Sequence, residues 1–129
     1  MASIGMEKVS SWGFDQALER VPELLKGEGF GVLTQIDVQA TLKEKLGVDW
    51  RRYRILGACN PSLAHRALSA VPEVGVLLPC NVAVYERDDG KVVVRAVDPM
   101  QTIAAAEPAL GEIAGEVRAR LERVLEKIG

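Results

Sequence analysis

The chain contains two cysteines, each followed by asparagine and each preceded by an apolar run: Ile55-Leu56-Gly57-Ala58 leads into Cys59-Asn60, and Val76-Leu77-Leu78-Pro79 into Cys80-Asn81. A thiolate serves as a nucleophile, a redox centre or a soft-metal ligand. The duplicated pair therefore reads as one candidate site, provided that the fold brings its halves together. Cys59 directly precedes Asn60-Pro61, a preferred N-cap followed by proline at the first helical position. Its sulfur is expected near unpaired backbone N–H groups and the positive end of a helix dipole, a setting that favours the reactive thiolate. The competing role, a small buried hydrophobe, is the commoner one for free cysteine. Cys80 has no helix start beside it and lies in a predicted strand next to Pro79, where core packing is again the commoner role.

His65, the sole histidine, falls in the helix that Asn60-Pro61 begins. It can orient a ligand, act as a base toward Cys59, or join both sulfurs around zinc or copper(I). A solvated histidine is the plainer reading, and three ligands without a Cys-x-x-Cys pair fall short of a closed zinc site. Asn60 is accounted for as a cap. Asn81 is not, because asparagine is disfavoured within a strand, and a hydrogen-bonding role in a bulge or pocket is expected of it. Asp37 has a capping role and Asp98 a strand-end role, and as carboxylates both are also candidates for ligand contact or acid–base work. Gly27, Gly29 and Gly31 precede a strand instead of joining strand to helix, which removes dinucleotide binding. Trp12 and Trp50 sit at segment boundaries as packing residues.

The elements that must position these groups follow from periodicity and punctuation. A short strand at Met6 to Ser10 precedes a helix from Gly13 with Phe14, Ala17, Leu18, Val21, Leu24 and Leu25 on its apolar face. Pro22 predicts a kink or break there. Phe30 to Ile36 alternates with two fairly apolar faces and is expected at the centre of a sheet. Asp37 caps a short helix that Gly47 stops in the left-handed conformation, and Tyr53 to Ala58 forms the next strand. The helix from Asn60-Pro61 stops near Val71-Pro72. Val74 to Arg87 reads as a long strand interrupted at Pro79, and Asp88-Asp89-Gly90 turns it into an antiparallel partner at Lys91 to Val97. From about Thr102 the chain is helical, with Leu110, Ala114, Val117, Leu121, Val124 and Ile128 on one stripe. That stripe suits packing on the chain's own sheet, with a coiled-coil dimer seam as the rarer alternative.

Composition bounds the function. The 129 residues fit a single domain, 1–129, with about residues 1–5 as an extension and Met6 as an alternative start. The 16 basic residues are scattered and outnumbered by 18 acidic ones, which disfavours nucleic-acid binding. No apolar run approaches the roughly 18 residues of a membrane span, and the N-terminus lacks a secretory pattern. The expected setting is cytoplasmic, where two cysteines stay reduced.

Five segments in order, Gly29-Phe30-Gly31-Val32-Leu33-Thr34-Gln35-Ile36-Asp37-Val38, Ile55 to Pro61, Ala64-His65, Leu77-Leu78-Pro79-Cys80-Asn81 and Asp98-Pro99, resemble the Domain of Unknown Function 302 family from about residue 8 onward. The resemblance implies an α+β fold of the TATA-binding-protein-like type, with helices packed on a curved antiparallel sheet, a long C-terminal helix and frequent homodimers. It implies no established activity, and the cofactor stays unknown. The chain departs from the family at Gln35, where an acidic residue is expected, and at Pro22.

Three functions follow. The leading one is a cytoplasmic module binding a small anionic ligand or a soft metal, with Cys59, Asn60, Cys80, Asn81, Asp37 and Asp98 as ligand contacts and Cys59, His65 and Cys80 as metal candidates. The second is a thiol-dependent redox or nucleophilic enzyme, with Cys59 attacking, Cys80 resolving and His65 assisting. The third is an interaction domain whose cysteines belong to the core.

Overall fold

Alternating valines set the centre of the molecule. Val82 and Val84 in one strand and Val92 and Val94 in its hairpin partner are 3% exposed or less, and a period of two turns them toward the same layer of helices. The computed structural model describes residues 3–129, so Met1 and Ala2 of the expected extension lie outside the described residues. Strands β1 (Met6–Ser10), β2 (Gly31–Asp37), β3 (Tyr53–Cys59), β4 (Cys80–Glu86) and β5 (Val92–Ala96) form an antiparallel sheet in the order β1-β5-β4-β3-β2. Helices α1 (Phe14–Gly27) and α5 (Gly111–Glu126) cover one face. They bury Ala17, Val21, Leu25, Val117, Leu121 and Val124 against Leu56, Val82, Val84 and Val94. The opposite face carries the Tyr53–Tyr85 stack, with ring centroids 4.9 Å apart, and Arg95 donates to the Tyr85 hydroxyl. The fold is α+β, with a long C-terminal helix.

Local chemistry accounts for most boundaries. Asp37 accepts from Ala40 N at 2.9 Å to cap α2 (Val38–Leu46), and Gly47 stops that helix at φ 66°. Gly90 at φ 84° allows the hairpin turn, closed by Arg87 N donating to Lys91 O at 2.8 Å. Asn60 starts α3 (Pro61–Ala70) as expected. The C-terminal stripe from Leu110 to Ile128 is buried within the chain itself, so it is core and not a dimer seam. Ser3 to Gly5 are held by Arg95 and Gln101, with Arg95 donating to Ile4 O at 2.7 Å and Gly5 N to the Gln101 side chain at 2.8 Å.

Several expectations need correction. Pro22 does not break α1, because the buried face of Phe14, Ala17, Val21 and Leu25 holds the helix together across it. Strand β2 is an edge strand and not central. A bulge between Val32 and Thr34 disrupts its pairing, and its residues are exposed or only half-buried. Val74 to Leu77 belongs to a 3-10 helix over Pro72–Leu77, and the strand begins only after Pro79, at Cys80. The C-terminal helical region is divided: α4 (Ile103–Ala106) and a 3-10 turn at Pro108–Leu110 precede α5. Trp50 is 45% exposed, with the Arg51 guanidinium over its ring, and so does not pack inside.

Candidate functional site: an apolar pocket holding two thiols

Strand β3 ends at Cys59 and β4 begins at Cys80, and the register places Ala58 opposite Cys80. Both cysteines are free and both line one cavity of about 320 Å³ at that end of the sheet. Its walls come from α3 through Leu63, Ala64 and Leu68, from α5 through Ile113 and Val117, and from Phe30, Leu33, Thr34, Leu78, Pro79 and Ile103. The surface is almost entirely carbon. Leu33, the bulged residue of β2, is 68% exposed at the rim, so the opening is apolar as well.

Two small-residue contacts shape this end of the molecule. A Cβ at Gly57 would lie 2.1 Å from Thr34 Oγ1 and 2.8 Å from Pro79 Cγ. Only glycine lets Thr34 and Pro79, both in the cavity wall, close over β3. Gly29 has φ 87°, and a Cβ there would lie 2.9 Å from Asn60 Nδ2. Both ends of the Asn60 amide are engaged: Oδ1 accepts from Leu63 N at 3.2 Å, and Nδ2 donates to Glu28 O at 3.5 Å. Arg120 donates to the same Glu28 carbonyl at 2.9 Å. The cap thus ties the end of α1 to the start of α3 and holds Cys59 beside the cavity.

Cys80 is 7% exposed. Burial, and secondarily the electrostatic influence of the neighbouring Cys59, push its thiol from an ordinary 9.0 to about 11. Cys80 therefore stays a neutral thiol at physiological pH.

Cys59, Asn60 and Cys80 are brought together, and the remaining candidates are not. His65 lies on the exposed side of α3, outside the cavity lining. Asn81 alternates to the other face of the sheet, opposite Gly57, where it lines a different recess with Tyr53, Ile55, Arg95 and Asp98. Asp98 is 9% exposed, accepts from Met100 N at 2.9 Å, and pairs with Arg118 Nε at 3.1 Å, which makes it a turn and tether residue. Asp37 is committed to its cap and to Arg54 Nη2 at 3.2 Å. Gln35 accepts from Arg54 Nη1 at 2.7 Å, so the departure at this position touches an exposed ion pair and not the thiols. Among the described residues, no three His, Cys, Asp or Glu side chains gather where they could hold a metal ion. No helix among them is long and apolar enough to cross a membrane. Sequence reasoning missed the apolar walls entirely. The signal for them was Gly57 inside an otherwise bulky strand, which marks a close approach of neighbouring groups.

The comparisons agree with this architecture. None of the curated proteins matches the chain. A crystal structure of an uncharacterized conserved protein DUF302 from Bacillus stearothermophilus is 37% identical, with a TM-score of 0.90 over 99% of this chain and 100% of that one. The family model described as Domain of unknown function DUF302 matches residues 6–128. With nearly its whole length matched in both sequence and structure, the chain belongs to the DUF302 family.

Proposed function

We propose that this chain is a binding module for a small, mostly apolar molecule seated between α3, α5 and the Cys59–Cys80 end of the sheet. The cavity of about 320 Å³ carries the proposal, since that volume is in the range of small-molecule sites and its lining offers carbon instead of charge. The anionic ligand expected from sequence loses ground, because no Lys or Arg lines the cavity and the Asn60 cap already occupies Leu63 N. Thr34 and Cys59 are the polar groups left to orient one end of a ligand. A cytoplasmic setting is part of the same proposal, and two free cysteines suit it.

Titration with the neutral apolar fluorophore N-phenylnaphthylamine tests this. Saturable one-to-one binding is expected. Ala64→Phe, which fills the cavity from α3, should weaken it by about tenfold or more without lowering the melting temperature. Binding that does not saturate, or that ignores the substitution, would reject the pocket as the site.

The presence of both cysteines in the lining of one cavity supports a second reading, a two-coordinate soft metal such as copper(I) held by Cys59 and Cys80. Elemental analysis of protein purified without chelator should then find metal in the wild type and none in Cys59→Ser or Cys80→Ser. Metal-free wild type after copper(I) loading would dismiss it.

A further inference from the structure

We propose that Cys59 is an acylation site: its sulfur takes a linear fatty acyl group from a small acyl thioester, and the acyl chain lies in the apolar cavity. The inference rests on the pocket being a ligand site and names its ligand as an acyl chain held covalently.

Alternation along β3 fixes the side of the cavity that each thiol occupies. Residues two apart in a strand share a face, so Cys59 stands with Gly57 and away from Ala58, whose partner across the sheet is Cys80. Gly57 is also the residue over which Thr34 and Pro79 close. Cys59, Thr34 and Pro79 therefore make one side of the cavity, and Ala58, Cys80, Leu63 and Val117, all part of the main core, make the other. The first side is the open one. Cys59 is half-buried there and Leu33, next to Thr34, is 68% exposed, whereas Cys80 is 7% exposed. A chain that enters over Leu33 puts its leading carbons against the core side and leaves its trailing end beside Cys59.

The lining leaves one nucleophile for that end. The Asn60 amide is engaged at both ends, Cys80 keeps its proton with a pKa raised to about 11, and the Thr34 hydroxyl is a weak nucleophile at its ordinary pKa. No Lys or Arg lines the cavity to hold a charged head group, so binding comes from the chain. The reaction is a thioester exchange. Cys59 sulfur attacks the carbonyl carbon of the donor, a new C–S bond forms, the bond from that carbon to the donor sulfur breaks, and the departing thiol leaves with the proton that Cys59 gives up. One thioester replaces another without an oxidant or reductant, and burial of the chain sets the direction. Each buried methylene favours the protein-bound form by about fourfold, until the cavity of about 320 Å³ is full.

Octanoyl-N-acetylcysteamine, a neutral thioester, is the probe. Intact mass and peptide mapping should show a single octanoyl group on Cys59, removable by neutral hydroxylamine, with none in Cys59→Ser and wild-type labelling in Cys80→Ala. From the butyryl to the decanoyl thioester, the rate at low probe concentration should rise by up to about fourfold per methylene and then level off. Ala64→Phe should slow octanoylation by about tenfold or more and leave alkylation of Cys59 by iodoacetamide within about twofold of wild type, which separates a chain site from a merely reactive thiol. Acylated protein should lose N-phenylnaphthylamine binding and regain it after hydroxylamine. Labelling at Cys80 instead of Cys59, rates that ignore chain length, or an acylated protein that binds the fluorophore unchanged would overturn the inference. Failure of the unmodified protein to bind the fluorophore overturns the ligand site and the acylation with it. A protein that binds the fluorophore but stays unacylated overturns the acylation alone.

Discussion

Gly57 is the residue on which the pocket depends most directly, since even a methyl group there collides with Thr34 and Pro79. We expect Gly57→Ala to destabilise the protein by about 1–3 kcal/mol through overpacking. Thr34→Ala in the same chain should recover part of that loss, because the shorter of the two contacts is to Thr34 Oγ1. Urea unfolding of the single and double variants checks both statements, and no recovery would mean that Pro79 sets the clash. Cys80 makes a second prediction, on pH. Its folded thiol titrates at about 11 against an ordinary 9.0, so below pH 9 both states hold the proton and the stabilisation is complete. Between pH 9 and 11 the unfolded chain binds fewer protons than the native one, and stability falls as pH rises, by about 2–3 kcal/mol at most for this group. Comparing urea midpoints at pH 8 and pH 11 should show a shallower fall in Cys80→Ala than in wild type. Equal falls would show that burial of Cys80 carries no such linkage.

At the scale of elements, the starts of α2 and α3 were legible, whereas the division of the C-terminal helical region and the layer positions were not. Asn60-Pro61 announces α3 because cap and first turn interact over three residues, and Leu63 N does donate to Asn60 Oδ1. The second half of that residue's work, its bond to Glu28 O, spans 32 residues and left no local trace. Asn60→Ala should therefore exceed the typical cap loss of about 1 kcal/mol and cost about 2–3 kcal/mol. Asn60→Asp, which keeps the acceptor for Leu63 N and loses the donor, should fall between alanine and wild type in thermal unfolding. The helices also differ in what they bury. Helix α2 has no buried residue and Leu46 is 70% exposed, so Leu46→Ala should move stability by less than about 0.5 kcal/mol. Leu121 of α5 is 1% exposed in the main core, and Leu121→Ala should cost about 2–5 kcal/mol. Strand β2 was misjudged because two apolar faces normally mean a central position. Here Leu33 is apolar because it rims a cavity, and the bulge beside it ends regular pairing.

At the scale of the molecule, a charged clasp joins the two ends of the helical layer. Glu28, just past α1, pairs with Arg123 of α5 at 2.9 Å and with Lys127 at 3.6 Å. Burial works to raise the Glu28 carboxyl, but these two cations outweigh it and hold the group below its ordinary 4.5. A depressed carboxyl contributes stability above its unfolded pKa and loses it as pH falls through the folded value. Glu28→Gln should accordingly flatten the acid side of the stability profile, as read by thermal unfolding between neutral pH and pH 3. An unchanged profile would assign acid sensitivity to other carboxylates. The clasp and the Asn60 bond both converge on Glu28, so α1, α3 and α5 are anchored to each other next to the cavity that they help enclose.

The family and the α+β class came from the resemblance carried by five motifs, whereas the α2 and α3 caps, the Gly47 stop, the hairpin at Gly90 and the apolar stripe of the C-terminal helix were legible in the residues themselves. Each of these last depends on atoms a few residues apart, or on a periodicity that survives any packing. Alternation could also have separated Cys80 from Asn81, since adjacent strand residues face opposite sides of a sheet. The tertiary structure decided the strand order, the edge position of β2, the exposure of His65 and the placing of Cys59 and Cys80 in the lining of one cavity walled by carbon. Those features come from register and from contacts between distant segments, which are set by the free energy of burying the core as a whole and leave no signature in a local run of residues.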